Sequence, residues 1–391
     1  MAADQDLGLR RLTSRFTRDG SEALEQKLSD LCEQVSEAVC RILPPSRLQG
    51  IVLGGGYGRG EGGVLRTAEG DFPYNDLEFY VFIHGNLLLQ ERKYRKPLHE
   101  VGEKLGPAAA LEVEFKLTSQ DYLQRAPPNM FFYDLVSAHR LVAGDPEIFS
   151  GCAHHLDGGR IPLSEATRLL MNRCSGLLFA QERLHRRPLT EEDADFVGRN
   201  HAKAKLAFGD VVLVANHQYH WSCVERQQRL QTLPATLPWH AEICSHHAQG
   251  VEFKFHPQHK TASLEQFESD QRALVNLARH LWLWLESERL GRPFASALDY
   301  ARSPANKCPE TNAYRNRLVN AKRFGPGALL EKRGARYPRE RLFNALALLL
   351  WEPNAVSDSL LVRRLQGELN TPAQTFRELV FAYRDLWQHF N

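Results

Sequence analysis

Apolar residues recur at three- and four-residue intervals between Ser21 and Leu43, at Leu24, Leu28, Leu31, Val35, Val39 and Ile42, and the run stops at Pro44-Pro45. That spacing predicts an amphipathic helix packed on the sheet that follows. Ile51-Val52-Leu53 is wholly apolar and reads as a short buried strand. It enters the stretch Gly54 to Gly63, in which seven of ten residues are glycine, so the backbone there can approach a ligand closely. A polar loop through Pro73 and Asn75 ends at Asp76, where Asp76 to Ile83 predicts a second strand. A helical stretch from about Glu91 to Leu105 and a third strand from Leu111 to Leu117 come next. Beyond residue 161 the period turns almost wholly helical, over Glu165 to Leu184, Asp193 to Asn216, Leu264 to Leu290, Arg339 to Trp351 and Pro372 to Phe390, with one possible stranded excursion at Val251 to Phe255. The pattern predicts an α+β domain over residues 1–150 and a mostly helical domain over 151–391.

Side chains on a strand alternate faces, so Asp76 and Glu78 point one way while Leu77 and Phe79 point into a core. Two adjacent carboxylates repel and raise a pKa unless a cation neutralises them, which makes Mg²⁺ or Mn²⁺ the natural occupant. A third carboxylate, Glu114 or Glu112, stands on the next strand and completes a site for two metals. Such a pair, about 3.5–4 Å apart, suits phosphoryl or nucleotidyl transfer.

These residues resemble the polymerase-β-like nucleotidyltransferases, whose signature is a hydrophobic strand, Gly-Gly or Gly-Ser, then a strand bearing Asp-x-Asp or Asp-x-Glu. Here the elements are Leu53-Gly54-Gly55-Gly56-Tyr57-Gly58-Arg59-Gly60 and Asn75-Asp76-Leu77-Glu78-Phe79. Phe132 to Leu135 and Leu141 to Asp145 look like the helix and exit strand ending in Gly-Asp of small bacterial members. The resemblance covers roughly residues 20 to 150 and implies a nucleotidyltransferase-type mixed sheet with flanking helices. It also implies that Gly55, Gly56 and Arg59 bind the nucleotide and that Asp76, Glu78 and Glu114 ligate Mg²⁺ (or Mn²⁺) as the catalytic set. Glu114 is preferred to Glu112 on its distance to Leu123. Nineteen residues separate Gly56 from Asp76, so Glu61 to Asn75 reads as an insertion near the mouth of the site.

Composition narrows the partners. Formal net charge is +2, which removes a strongly basic nucleic-acid coat from consideration and favours a small-molecule acceptor over RNA or protein. The seven cysteines form no Cys-x-x-Cys pair, as expected of a reducing cytoplasm. MAADQDLGLRRLTSRF has no apolar signal core, and the longest apolar run, Leu342 to Trp351, falls short of the roughly 20 residues that span a bilayer, so no membrane partner is expected.

Other motifs have blander readings beside them. Gly58-x-Gly60-x-x-Gly63 matches a dinucleotide fingerprint without the helix and repeated strand-helix units that motif needs, and no Gly-Lys-Ser/Thr marks a P-loop. In the helical half, Arg199 and Lys203 share a helix face, where they either cap the nucleotide's phosphates or are plain surface charges; Arg168 and Arg173 have the same status. Lys307 to Arg341 holds ten Lys or Arg against three Glu and reads as a solvated basic loop. His240, Cys244, His246 and His247 match no zinc template and read as surface histidines, and Trp282 and Trp284 as core.

The function expected is transfer of a nucleoside monophosphate from a nucleoside triphosphate to a hydroxyl acceptor. The alternative is a catalytically silent protein of this fold acting as nucleotide sensor or scaffold.

Overall fold

The computed structural model describes residues 15–109, 111–258 and 262–391; the stretch inspected for a signal core lies, up to residue 14, outside the described residues. The chain is α+β, with a small mixed sheet and a helical C-terminal region. Its residues group into two compact units. The first runs to Ile161 and takes in His217–Arg229 and Val251–Gln258; the second holds Pro162–Asn216, Leu230–Gly250 and His259–Asn391. This differs from a single cut near residue 150, because two later segments return to the first unit.

In the first unit, helix α1 (Glu22–Ile42) precedes strand β1 (Leu48–Leu53) and the short helical turn α2 (Gly55–Gly58). Strands β2 (Val64–Thr67), β3 (Gly70–Pro73) and β4 (Leu77–Ile83) follow, then α3 (Leu87–Ala109) and β5 (Val113–Thr118). Helices α4 (Gln120–Arg125) and α5 (Met130–Ser137) and strand β6 (Arg140–Gly144) complete the sheet region. The sheet order is β5-β4-β1-β6; β1 pairs antiparallel with β4 and β6, whereas β4 and β5 run parallel. A parallel pair needs a crossover connection, and α3 supplies it.

Both faces of this sheet are covered. Leu77, Phe79, Val81 and Ile83 of β4 enter a core with Leu24, Leu28 and Val35 of α1 and Tyr94 and Leu98 of α3. Tyr80 and Phe82 enter a second core with Leu123 of α4 and Phe132, Leu135 and Val136 of α5. The strand's strict alternation therefore serves two cores, and only the acids at its N-terminal end stand clear of them. Burying a side chain of this size contributes about 1.5–3 kcal/mol, so the register that sets Glu78 on the Tyr80 face, at the edge of the second core, is strongly specified.

The second unit holds α6 (Leu163–Leu184), α7 (Glu191–Ala215) and α10 (Leu264–Leu290), with α11 (Ala297–Arg302), α12 (Ala313–Phe324), α13 (Arg339–Trp351), α14 (Ser359–Leu369) and α15 (Phe376–Phe390) after them. Two further helices, α8 (Cys223–Thr232) and α9 (His240–Phe255), lie between α7 and α10 in sequence. Every residue of α13 from Arg341 to Trp351 is buried, as its nearly unbroken apolar sequence requires. Trp282 is fully buried and Trp284 half-buried against Trp239.

Three expectations are corrected. Val251 to Phe255 is the last turn of α9, because the alternation Val-Glu-Phe-Lys-Phe continues a helix already under way. Glu61 to Asn75 contains the β2/β3 hairpin, with Val64 opposite Pro73 and Thr67 opposite Gly70. Lys307 to Arg341 is no solvated loop: it contains α12, Lys307 and Asn320 are fully buried, and Asn320 donates to the carbonyls of Gly334 and Arg336.

Candidate metal centre

The parallel register sets Glu78 of β4 directly opposite Glu114 of β5. Asp76 precedes β4 by one residue, and the Leu77 amide donates to the Glu112 carbonyl at 2.9 Å, which fixes the strand start. One carboxylate oxygen from each of Asp76, Glu78 and Glu114 lies within 4.8 Å of the others. Glu112 is exposed and stands outside this group; alternation gives both acids the same face, and the register that sets Glu114 opposite Glu78 decides between them.

Electrostatics mark the cluster as short of positive charge. Asp76 is exposed as a residue, yet partial desolvation of its carboxyl and then the neighbouring Glu78 and Glu114 charges push it above the ordinary range. Lys116, two residues beyond Glu114 on the same strand face, sets its ammonium against Glu78 and 3.4 Å from Glu114. Burial opposes that charge, yet the two carboxylates outweigh it and raise the Lys116 pKa. Three carboxylates against one ammonium leave two negative charges uncompensated. A hard all-oxygen donor set of that charge fits Mg²⁺ or Mn²⁺. Sequence reasoning missed Lys116, although its place at Glu114 plus two put it on the acid-bearing face.

The glycine stretch is shaped by its own packing as much as by any ligand. A Cβ on Gly58 would lie 2.1 Å from the Leu53 carbonyl oxygen, and one on Gly62 would lie 2.1 Å from the Tyr57 ring. Gly55 has φ +63° and faces Glu78, whose Oε2 would stand 3.1 Å from an added Cβ. The Gly54 amide donates to the Glu78 carbonyl at 3.0 Å, joining the turn to the acid strand. Tyr57, buried, donates its hydroxyl to the Gly63 carbonyl at 2.8 Å and accepts from the Tyr74 amide at 2.9 Å, closing the base of the hairpin insertion. Burial pushes its phenol up to about 12, so it stays a donor at physiological pH.

Glu61 is one of the residues that tie a later segment to this unit. It accepts from the Ser222 hydroxyl at 2.7 Å and the Cys223 amide at 3.1 Å. Burial works against its charge, but Lys254 and these bonds hold its carboxyl below the ordinary range.

Arg59 is mostly buried and pairs with Asp134 at 3.1 Å. Arg199 pairs with Asp195 at 2.8 Å on α7 of the second unit, where Lys203 is exposed on the same helix. Arg168 pairs with Glu165 at 3.2 Å, and Arg173 is depressed by burial, which Asp210 partly offsets. His247 is fully buried against Asp210 at 3.2 Å and is not a surface histidine; His246 lies 3.6 Å from Glu242. Among the described residues, no helix is long and apolar enough to cross a membrane. No protein-family model, curated protein or solved structure matches the chain.

Proposed function

We propose that the chain is a nucleotidyltransferase of the polymerase-β-like kind, moving a nucleoside monophosphate from a nucleoside triphosphate to a hydroxyl acceptor. The observation that carries this reading is the convergence of Asp76, Glu78 and Glu114 within 4.8 Å beside a glycine turn. Asp76, Glu78 and Glu114 would hold Mg²⁺ or Mn²⁺, which when bound neutralises phosphate charge and makes the acceptor hydroxyl more acidic. The amides of Gly55 and Gly56 open a helical turn, where no intrahelical acceptor exists, and so are free to face a triphosphate. A Glu114 carboxylate oxygen takes the acceptor's proton. The acceptor oxygen then bonds to the α-phosphorus, the bond from that phosphorus to the bridging oxygen breaks, and pyrophosphate leaves. A small-molecule acceptor and a cytoplasmic setting belong to the same proposal, as does a phosphate-contacting role for Arg59.

A second reading, a silent nucleotide sensor or scaffold, is favoured by Lys116, whose ammonium already meets two of the three acids. Calorimetric titration with a non-hydrolysable triphosphate separates them. The enzyme binds it far more tightly with Mg²⁺ than with EDTA, and Asp76→Ala abolishes that difference; binding indifferent to metal would leave the scaffold reading standing.

A further inference from the structure

The second unit carries a cavity of about 420 Å³ whose wall includes Arg302, Lys332, Arg333, Arg336, Arg363 and Arg364. Only two carboxylates share that wall, Glu340 and Glu368, so six cations less two anions leave a surplus of four. Both acids are already engaged. Glu340 accepts from Arg336 at 3.0 Å and from the Lys307 amide at 2.8 Å. Glu368, buried, pairs with Arg333 and accepts from Asn344 at 3.2 Å. Arg302, Lys332 and Arg363 are exposed and make no ion pair or side-chain hydrogen bond among the described residues. Behind the wall, Arg341 is 8% exposed and donates to the Gly367 and Glu368 carbonyls instead of to a carboxylate.

Cations crowded this way depress one another. Burial, then Arg302, lowers Arg364, and burial, then Arg333, brings Arg341 down to about 10. A dense anion relieves that repulsion, and guanidinium forks match phosphate oxygens two at a time. The cavity lies at the small end of the range for ligand sites. No aromatic side chain lines it, so it has no platform on which the bases of a single strand could stack.

We propose that this cavity binds a compact oligophosphate, either an inorganic chain or the phosphate arm of a nucleotide. The site is independent of the acidic cluster and of the transfer reaction assigned to it.

The test is calorimetric titration of the full chain with inorganic tripolyphosphate, and separately with ATP, in EDTA so that no metal bridges phosphate to the acids. Tripolyphosphate should bind one to one, and the triple variant R302Q/K332Q/R363Q should weaken it by about tenfold or more. These side chains are exposed and unpaired, so the variant keeps the melting temperature of the parent. R302K/K332R/R363K should restore binding, and Asp76→Ala should leave it unchanged. ATP binding more tightly than tripolyphosphate assigns the site to nucleotides; weaker ATP binding assigns it to the inorganic chain. No binding of either, equal affinity in the triple variant, or capture of an oligonucleotide that tripolyphosphate cannot displace would overturn the proposal.

Discussion

Replacing Asp76 by asparagine removes one of three carboxylates whose oxygens lie within 4.8 Å of one another. At that separation two unit charges repel by about 0.9 kcal/mol in the dielectric of bulk water. Asp76 is exposed, so screening keeps the effect near that low value, and Lys116 offsets part of it. Asp76→Asn should therefore stabilise the metal-free protein by about 1 kcal/mol at neutral pH. The native state holds the Asp76 proton more tightly than the unfolded chain does. Its penalty is thus absent below the unfolded pKa and grows as pH rises through the window up to the raised folded pKa. The variant's advantage should follow the same course, vanishing in acid. Metal reverses the order: a ligand at a hundred times its dissociation constant stabilises the native state by about 2.7 kcal/mol, and a site with one carboxylate fewer forfeits most of that. Urea unfolding followed by circular dichroism, in EDTA and in Mg²⁺ between about pH 4 and about pH 8, reads both effects. A variant no more stable than the parent in EDTA at neutral pH, or equal stabilisation of both by Mg²⁺, would refute the reasoning.

The other expectations use single substitutions in the same unit. Glu114→Gln should weaken Mn²⁺ binding, measured by paramagnetic titration, by about tenfold or more while Glu112→Gln leaves it unchanged; equal effects would contradict the register argument. Lys116→Met should lower stability in EDTA yet tighten Mn²⁺ binding, since it removes the ammonium that competes for Glu78. Tyr57→Phe leaves the Gly63 carbonyl and Tyr74 amide without the Tyr57 hydroxyl they bond to and should cost about 1–3 kcal/mol in urea unfolding. Gly58→Ala drives a methyl into the Leu53 carbonyl and should cost about 1–3 kcal/mol; a neutral result would mean the turn can move away from β1.

Elements with a strong period were legible before the structure. The apolar spacing of Leu24 to Ile42 gave α1 to within a residue, and Leu264 to Leu290 and Arg339 to Trp351 match their helices end to end. Asp76 and Glu78 were readable as a same-face pair because strand alternation is a local property. What stayed hidden depends on long-range pairing. The β2/β3 hairpin has strands of four residues, too short to show a period among polar neighbours. Val251 to Phe255 alternates like a strand, and only its continuity with His240 makes it helical. The segment around Ser222 returns through pairings such as that of Glu61, an acid inside a glycine run whose partner lies 161 residues away, and of Tyr219 with Asp134. In the basic stretch, charge count read without burial concealed the asparagines Asn316 and Asn320, which bind backbone carbonyls and order the chain around them.

The central claim is nucleotidyl transfer at Asp76, Glu78 and Glu114. Its most direct test is incubation of the purified protein with each α-³²P-labelled nucleoside triphosphate, Mg²⁺ or Mn²⁺ and a cell extract, beside Asp76→Ala. The account predicts a labelled product and pyrophosphate release that disappear in the variant. No label transfer with any nucleotide and either metal, or transfer undiminished in Asp76→Ala, would contradict it.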